Sequence, residues 1–172
     1  MQSLAKIHDQ RLTIMRNEIY QEIQNSSSLD HVREGLARVF NAVKSAEKNQ
    51  RIGVVSGIIS SDGDENIERN TRRLEQFTKA VSGKFGIPVF STADVFGNGM
   101  YDKVEEFQFE RELREQHFRN FWKMVFETGH ITDIFMTPGW ERSIGAYDEH
   151  EIAKEKGMII HYLDESILNH ET

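Results

Sequence analysis

The chain has 172 residues, enough for one domain with a sizeable core plus an accessory element and too few for two full domains. Its 21 basic and 28 acidic residues leave a net charge of -7 with no long basic run, which argues against a nucleic-acid-binding surface, because duplex affinity depends on clustered Lys and Arg. The absence of cysteine excludes a disulfide framework and any thiolate metal site, and no run approaches the roughly 18 apolar residues that a membrane span requires.

The first segment, MQSLAKIHDQRL, has no apolar signal region, so the expectation is a cytoplasmic, soluble protein without a membrane partner. From Ser3 to Gln24 the apolar positions Leu4, Ile7, Leu12, Met15, Ile19 and Ile23 recur at three to five residues, the period of an amphipathic helix. Asn25 and three serines break it. A second run, Leu29, Val32, Leu36, Val39 and Val43, steps by three and four, with Asp30 placed to favour the helix N-terminus. Residues 1–50 therefore read as a helical hairpin that packs on its own domain or on a sister subunit. His8 and His31 lack a second ligand at metal spacing and read as exposed polar positions; no metal or other cofactor is expected.

Character changes at Arg51, and residues 51–172 read as an α/β domain. Arg51 to Gly57 (RIGVVSG) is a short β-branched run suited to the first strand of a parallel sheet. The polar loop from Ile58 to Asn66 leads into a helix bearing Ile67, Leu74, Phe77, Val81 and Phe85 on one face. Such a loop is a ready anion site, and its DGDEN stretch is equally ordinary turn and capping chemistry. Ile87 to Thr92 reads as the second strand, with Pro88 at its start. Ala93 to Asp102 has no period and reads as a loop in which Phe96, Met100 and Tyr101 either form a wall over a flat base or anchor the loop. Lys103 to Glu127 predicts one long helix whose aromatic stripe, including Phe118, Phe121 and Trp122, belongs to the core. Arg114, His117 and Arg119 on it either reach a neighbouring site or are solvated.

The last third is the most informative stretch. Asp133 begins a third strand (DIFM), Pro138-Gly139 turns the chain, a loop carries Ser143 and Gly145, a helix opens near Ala146, and Gly157 stops it before a fourth apolar run from Met158. Strand, loop, helix and strand in that order are a right-handed parallel crossover, with the loop on the edge where ligands bind. Glu149 lies one turn after Gly145, so its carboxylate leans back toward that loop. The fold expected is a flavodoxin-like, Rossmann-type parallel sheet of four to five strands preceded by the hairpin.

The segment Pro138-Gly139-Trp140, Ser143-Ile144-Gly145, Glu149 and Ala153 resembles the signature of the nucleoside 2-deoxyribosyltransferase superfamily, and its spacing is most similar to the nucleoside 5'-monophosphate N-glycosidases. The resemblance implies Glu149 as the nucleophile that attacks the anomeric carbon. It implies Ser143 as a phosphate ligand where the transferases carry an aspartate, and Ser56, Gly57 and Ile58 as the strand end under the nucleotide. Asn66, Gly145 and Tyr101 join the substrate-binding set, and relatives have an aspartate near Asp133 that approaches the base, although the interval from Asp133 to Pro138 is one residue shorter here than in many of them. Trp140 and Arg142 either cap the site and help the phosphate or are surface packing, and the resemblance implies Ser166 as a phosphate contact reaching into a neighbouring subunit.

The activity implied is hydrolysis of the N-glycosidic bond of a nucleoside 5'-monophosphate. Base exchange by a deoxyribosyltransferase and a non-catalytic nucleotide sensor are the alternatives. Such chemistry needs a carboxylate beneath the sugar to meet an oxocarbenium-like state. A site near the helix N-terminus would keep Glu149 ionised. Tyr101, Tyr147 and Asp133 are the candidates for protonating the departing base. The partner implied is a free nucleotide or nucleoside, not a nucleic acid polymer, with a homo-oligomer of two or more copies.

Overall fold

The computed structural model describes residues 4–107 and 114–170. Among the described residues four strands, β1 (Gly53–Ser56), β2 (Val89–Ser91), β3 (Asp133–Met136) and β4 (Ile159–Tyr162), form one all-parallel sheet in the order β2-β1-β3-β4. In register, Val54 lies beside Phe90 and Ile134, and Ile134 beside Ile160. The α/β architecture expected from the sequence is therefore present, flavodoxin-like and with four strands.

Because successive strand residues point to opposite faces, the apolar runs must be covered on both. Val54, Phe90 and Ile134 face helices α1 (Leu4–Gln24), α2 (Leu29–Ala46), α6 (Arg114–Glu127) and α7 (Ile144–Glu155), packing with Ile19, Leu36, Phe40, Phe126 and Ala153. Val55, Val89 and Phe135 face α3 (Ile67–Phe85), whose Leu74, Phe77 and Val81 meet them together with Ile167 from the 3-10 turn Glu165–His170. The hairpin thus shares the sheet's own core, and Phe40 stacks on Phe90 with ring centroids 4.7 Å apart. Its start is fixed locally, since the Ser28 side chain accepts the amide of His31 and Asp30 sits in the first turn of α2.

Two stretches differ from the sequence expectation. The segment after β2 is helical: α4 (Thr92–Val95), one wide π-type turn (Phe96–Met100) and α5 (Tyr101–Val104) follow each other directly. Ser91 and Asp94 form a capping box that starts α4 at the strand's last residue. Of the single helix expected from Lys103 to Glu127, the described parts are the end of α5, a 3-10 turn at Glu105–Phe107 in place of α-helix, and α6 from Arg114. The intervening part of that expectation, residues 108–113, lies outside the described residues. No described helix is long and apolar enough to cross a membrane.

The ends of β1 and β3 approach so closely that a side chain at Gly57 has no room. A Cβ there would stand 2.1 Å from Thr137 Oγ1, whereas one at Gly83, exposed on α3, meets nothing within 4 Å. Gly57→Ala is therefore expected to destabilise the protein by about 1–3 kcal/mol through overpacking. Gly83→Ala is expected to stabilise it by roughly 0.5–1 kcal/mol through helix propensity. Thermal unfolding of the two variants should shift in opposite directions, and equal shifts would remove the packing explanation.

Candidate functional site

Chain progression from β1 goes to β2 on one side and from β3 to β4 on the other, so the strand order reverses between β1 and β3. Ligand crevices in such sheets lie outside the strand ends at that point. Here the ends are Ser56 and Met136, knitted by the Thr137 amide donating to the Ser56 carbonyl at 3.0 Å. From Thr137 the chain turns through Gly139 and a 3-10 turn (Trp140–Arg142) into α7. Ser143 is the N-cap, its side chain accepting from the Ala146 amide at 3.2 Å. That cap sets the rotation of α7 that carries Glu149 inward.

Glu149 is only 5% exposed, and the Ser56 hydroxyl donates to its Oε2. It borders a cavity of about 420 Å³. Three groups of side chains complete the lining. Ser60 and Ser61 from the β1–α3 loop stand with Arg142, Ser143 and Gly145 at the start of α7, and the Ser61 hydroxyl donates to Ser143 Oγ at 3.2 Å. Phe96, Phe118 and Trp122 form an aromatic wall, Phe96 lying edge-on to Phe118 at 4.9 Å and to Trp122 at 5.7 Å. Further along α7, Asp148 and Ile152 line the cavity with Arg119 of α6. Gly145 keeps space open, since a Cβ there would meet only Ser143 Oγ, at 3.9 Å.

Burial pushes the Glu149 carboxyl up to about 8; the Ser56 hydrogen bond pulls the other way, and the neighbouring Asp148 charge adds to the rise. This corrects the expectation of an ionised glutamate. Glu149 is the sixth residue of α7, beyond the first turn where the helix dipole acts, and desolvation prevails.

The structure gathers Ser56, Gly57, Ser143, Gly145 and Glu149 at one place and sends other sequence candidates elsewhere. Asp133 opens β3, at the opposite end of the strand, fully buried and bonded to Arg51, Thr132 and His161. Burial alone would raise its pKa, but those three hydrogen bonds and the Arg51 charge hold it below the usual carboxylate range. It is a structural ion-pair residue, not a base contact. Ile58 lines a separate polar depression with Arg69, Arg72 and Thr137. Asn66 ends a 3-10 turn and donates to the Asp62 carbonyl at 2.9 Å, away from the cavity. Trp140 does not cap the cavity; it stacks on His150 at 4.3 Å and faces Tyr147, which is half exposed. Ser166 is exposed in the last 3-10 turn. The side chain of Tyr101 lies outside the described residues, as does that of His8.

Some lining residues escaped the sequence reading. Phe118 and Trp122 were expected as core and serve as both packing and wall. Asn70, 6% exposed, donates to the Ile59 carbonyl at 3.0 Å and to Asp62 Oδ1 at 2.7 Å, fixing the loop that carries Ser60 and Ser61. Its signal was a polar residue within the apolar stripe of α3, four residues before Leu74. Arg16 of α1 donates through Nε to Asp94 Oδ1 at 2.7 Å and so ties the hairpin to the helix preceding Phe96. No cluster of three metal-ligating side chains occurs among the described residues.

The raised Glu149 pKa has a consequence for stability. The unfolded chain ionises this residue near its ordinary value of 4.5, while the fold keeps it protonated up to about 8. The contribution of neutral Glu149 is fully present below the unfolded value and is lost as pH rises through the folded one, at about 1.4 kcal/mol per pKa unit of separation. Glu149→Gln should match wild type in chemical denaturation near the acid end and exceed it by a few kcal/mol above pH 8. A pH-independent difference would mean that the carboxyl ionises normally in the fold. Comparison of the chain with family models, curated proteins and solved structures finds no match, so the functional reading rests on the residues and their geometry.

Proposed function

We propose that the protein hydrolyses the N-glycosidic bond of a nucleoside 5'-monophosphate. The observation that carries this reading is the buried Glu149 carboxyl bordering a cavity that also has hydroxyl and guanidinium donors at the start of α7 and an aromatic wall. Ser143 and Glu149 are six residues apart on α7, about 9 Å at 1.5 Å rise per residue. A phosphate near Ser143 and a sugar C1' near Glu149 fit that separation. The phosphate is met by Ser61, Ser143, Arg142 and the Gly145 amide, and the base lies against Phe96, Phe118 and Trp122. The resemblance of the segment from Pro138 to Ala153 to the signature of the nucleotide N-glycosidases adds to this.

In the first step a Glu149 carboxylate oxygen forms a bond to C1' as the C1'–N bond breaks, and its electron pair leaves with the base, which takes up a proton. Water then attacks C1', the C1'–O bond to Glu149 breaks, and the proton that water loses to solvent balances the one the base took up from it, giving the sugar 5-phosphate and a free carboxylate. Ser56 holds Oε2 and leaves the other oxygen for the sugar. Asp133 is too far along β3 to protonate the base, and Tyr147 packs outside the cavity. Exposed Tyr147, Ile159 and Tyr162, at 50–64% exposure around the β4 edge, form the surface through which we expect copies to associate. The proposed workplace is the cytoplasm, which suits a chain without cysteine.

Incubation with a panel of ribo- and deoxynucleoside 5'-monophosphates should release free base, and Glu149→Ala should slow this roughly 10³- to 10⁴-fold. Exchange onto a second added base in preference to water would instead identify a transferase; tight binding without product would identify a sensor. Because the nucleophile acts as the carboxylate, kcat/KM should rise with pH toward about 8 and then level. A fall through the same range would make Glu149 the proton donor and overturn its assignment as nucleophile.

A further inference from the structure

Arg119 of α6 and Asp148 of α7 are joined by a hydrogen bond from Arg119 Nε to Asp148 Oδ2, and both line the cavity. They also line a second, polar groove between the two helices, so the pair stands where the cavity opens into it. An ion pair this exposed, at 48% and 27%, contributes little to stability, so its position is what gives it consequence. Arg119 follows Phe118 on α6, and Asp148 precedes Glu149 on α7. A base lying on the aromatic wall with its sugar over Glu149 turns an edge toward this pair.

Resting on the nucleotide reading above, we infer that Arg119 and Asp148 read the base and select guanine. A carboxylate only accepts, and a guanidinium only donates. Guanine offers two adjacent donors, N1–H and the 2-amino group, followed along the same rim by two acceptors, O6 and N7. Asp148 takes the first two and Arg119 the second two, with the two side chains still neighbours. Arg to O6 and N7 is the commonest base-specific pairing of this kind. Adenine would set its N1 lone pair against the carboxylate. Uracil offers one N–H between two carbonyls that the carboxylate repels, and cytosine one amino group beside an acceptor nitrogen. Hypoxanthine keeps O6, N7 and N1–H and lacks only the amino group, which isolates the contribution of the second donor.

The test measures binding in the Glu149→Gln protein, where turnover does not intrude, by calorimetry with guanosine, inosine and adenosine 5'-monophosphates and their deoxy forms. Guanosine monophosphate should bind about ten- to a hundred-fold more tightly than adenosine monophosphate, with inosine monophosphate between them. Adding Asp148→Asn should abolish or reverse the guanine preference, because an amide pairs with adenine, while affinity for ribose 5-phosphate stays unchanged. Arg119→Gln, a second exposed position, should narrow the preference from the O6 and N7 side. If nucleotides bind with the same base ratios in all these proteins, the inference fails and the nucleotide site stands. If no nucleotide binds to either wild type or Glu149→Gln, the nucleotide reading fails and takes this one with it.

Discussion

The hydrogen bond from Ser56 to Glu149 joins the last residue of β1 to the sixth residue of α7, two elements 93 positions apart in the chain. Everything distinctive about the cavity depends on it. A carboxyl taken out of water strongly disfavours its charged form unless a cation or several donors compensate, and here one hydroxyl faces it. The fold resolves the conflict by keeping the proton. Gly57 and Thr137 pack against each other at the same strand ends, with no room for a side chain at Gly57.

The hairpin makes such a site tenable on a very small sheet. Strands of three or four residues are shorter than the usual five or six and bury little by themselves. Residues from α1 and α2 supply a large part of one face of the core, with Ile19, Leu36 and Phe40 fully buried. The same hairpin reaches the cavity through Arg16 and Asp94. Asp94 is buried, which pushes its pKa up, and the Arg16 charge opposes that rise. Since Asp94 also closes the capping box of α4, the start of the helix bearing Thr92 and leading to Phe96 is braced from α1. The accessory element and the cavity wall are mechanically one unit.

Much of this was legible in the residues. Period and spacing located α1, α2, α3 and α7, and short apolar runs located the four strands, because burial on both sheet faces leaves those patterns in any parallel sheet. The gathering of Ser143, Gly145 and Glu149 followed from the strand-loop-helix order, whereas Ser56 and Gly57 were implied by the resemblance. Asp133 shows how a pattern misleads: as the first residue of β3 it necessarily sits at the end of the strand opposite the ligand edge, a consequence that the topology carries and the motif does not. The helical path from Thr92 to Val104 was hidden because its signal, Ser91 and Asp94, sits inside what reads as a strand end followed by a glycine-rich loop. The protonation of Glu149 was not legible at all. Desolvation is a property of what covers the group in the folded chain, which no local pattern of residues records.

Charge sets the terms on which this cavity accepts an anion. The chain carries a net charge of -7, so long-range attraction does not favour a nucleotide, and binding falls to the local donors at the start of α7 and to Arg142, which is exposed beside them. In the proposed reaction a phosphate dianion about 9 Å from Glu149 raises the cost of ionising it further, whereas positive charge developing at C1' lowers that cost. The two effects act at different times. Only the fraction of complexes in which Glu149 has already lost its proton to solvent reacts, and the field that further favours the carboxylate grows as the glycosidic bond stretches. A buried carboxyl with a single hydroxyl partner is suited to that sequence, since a stronger resting partner such as an arginine would stabilise the charged form before the sugar needed it.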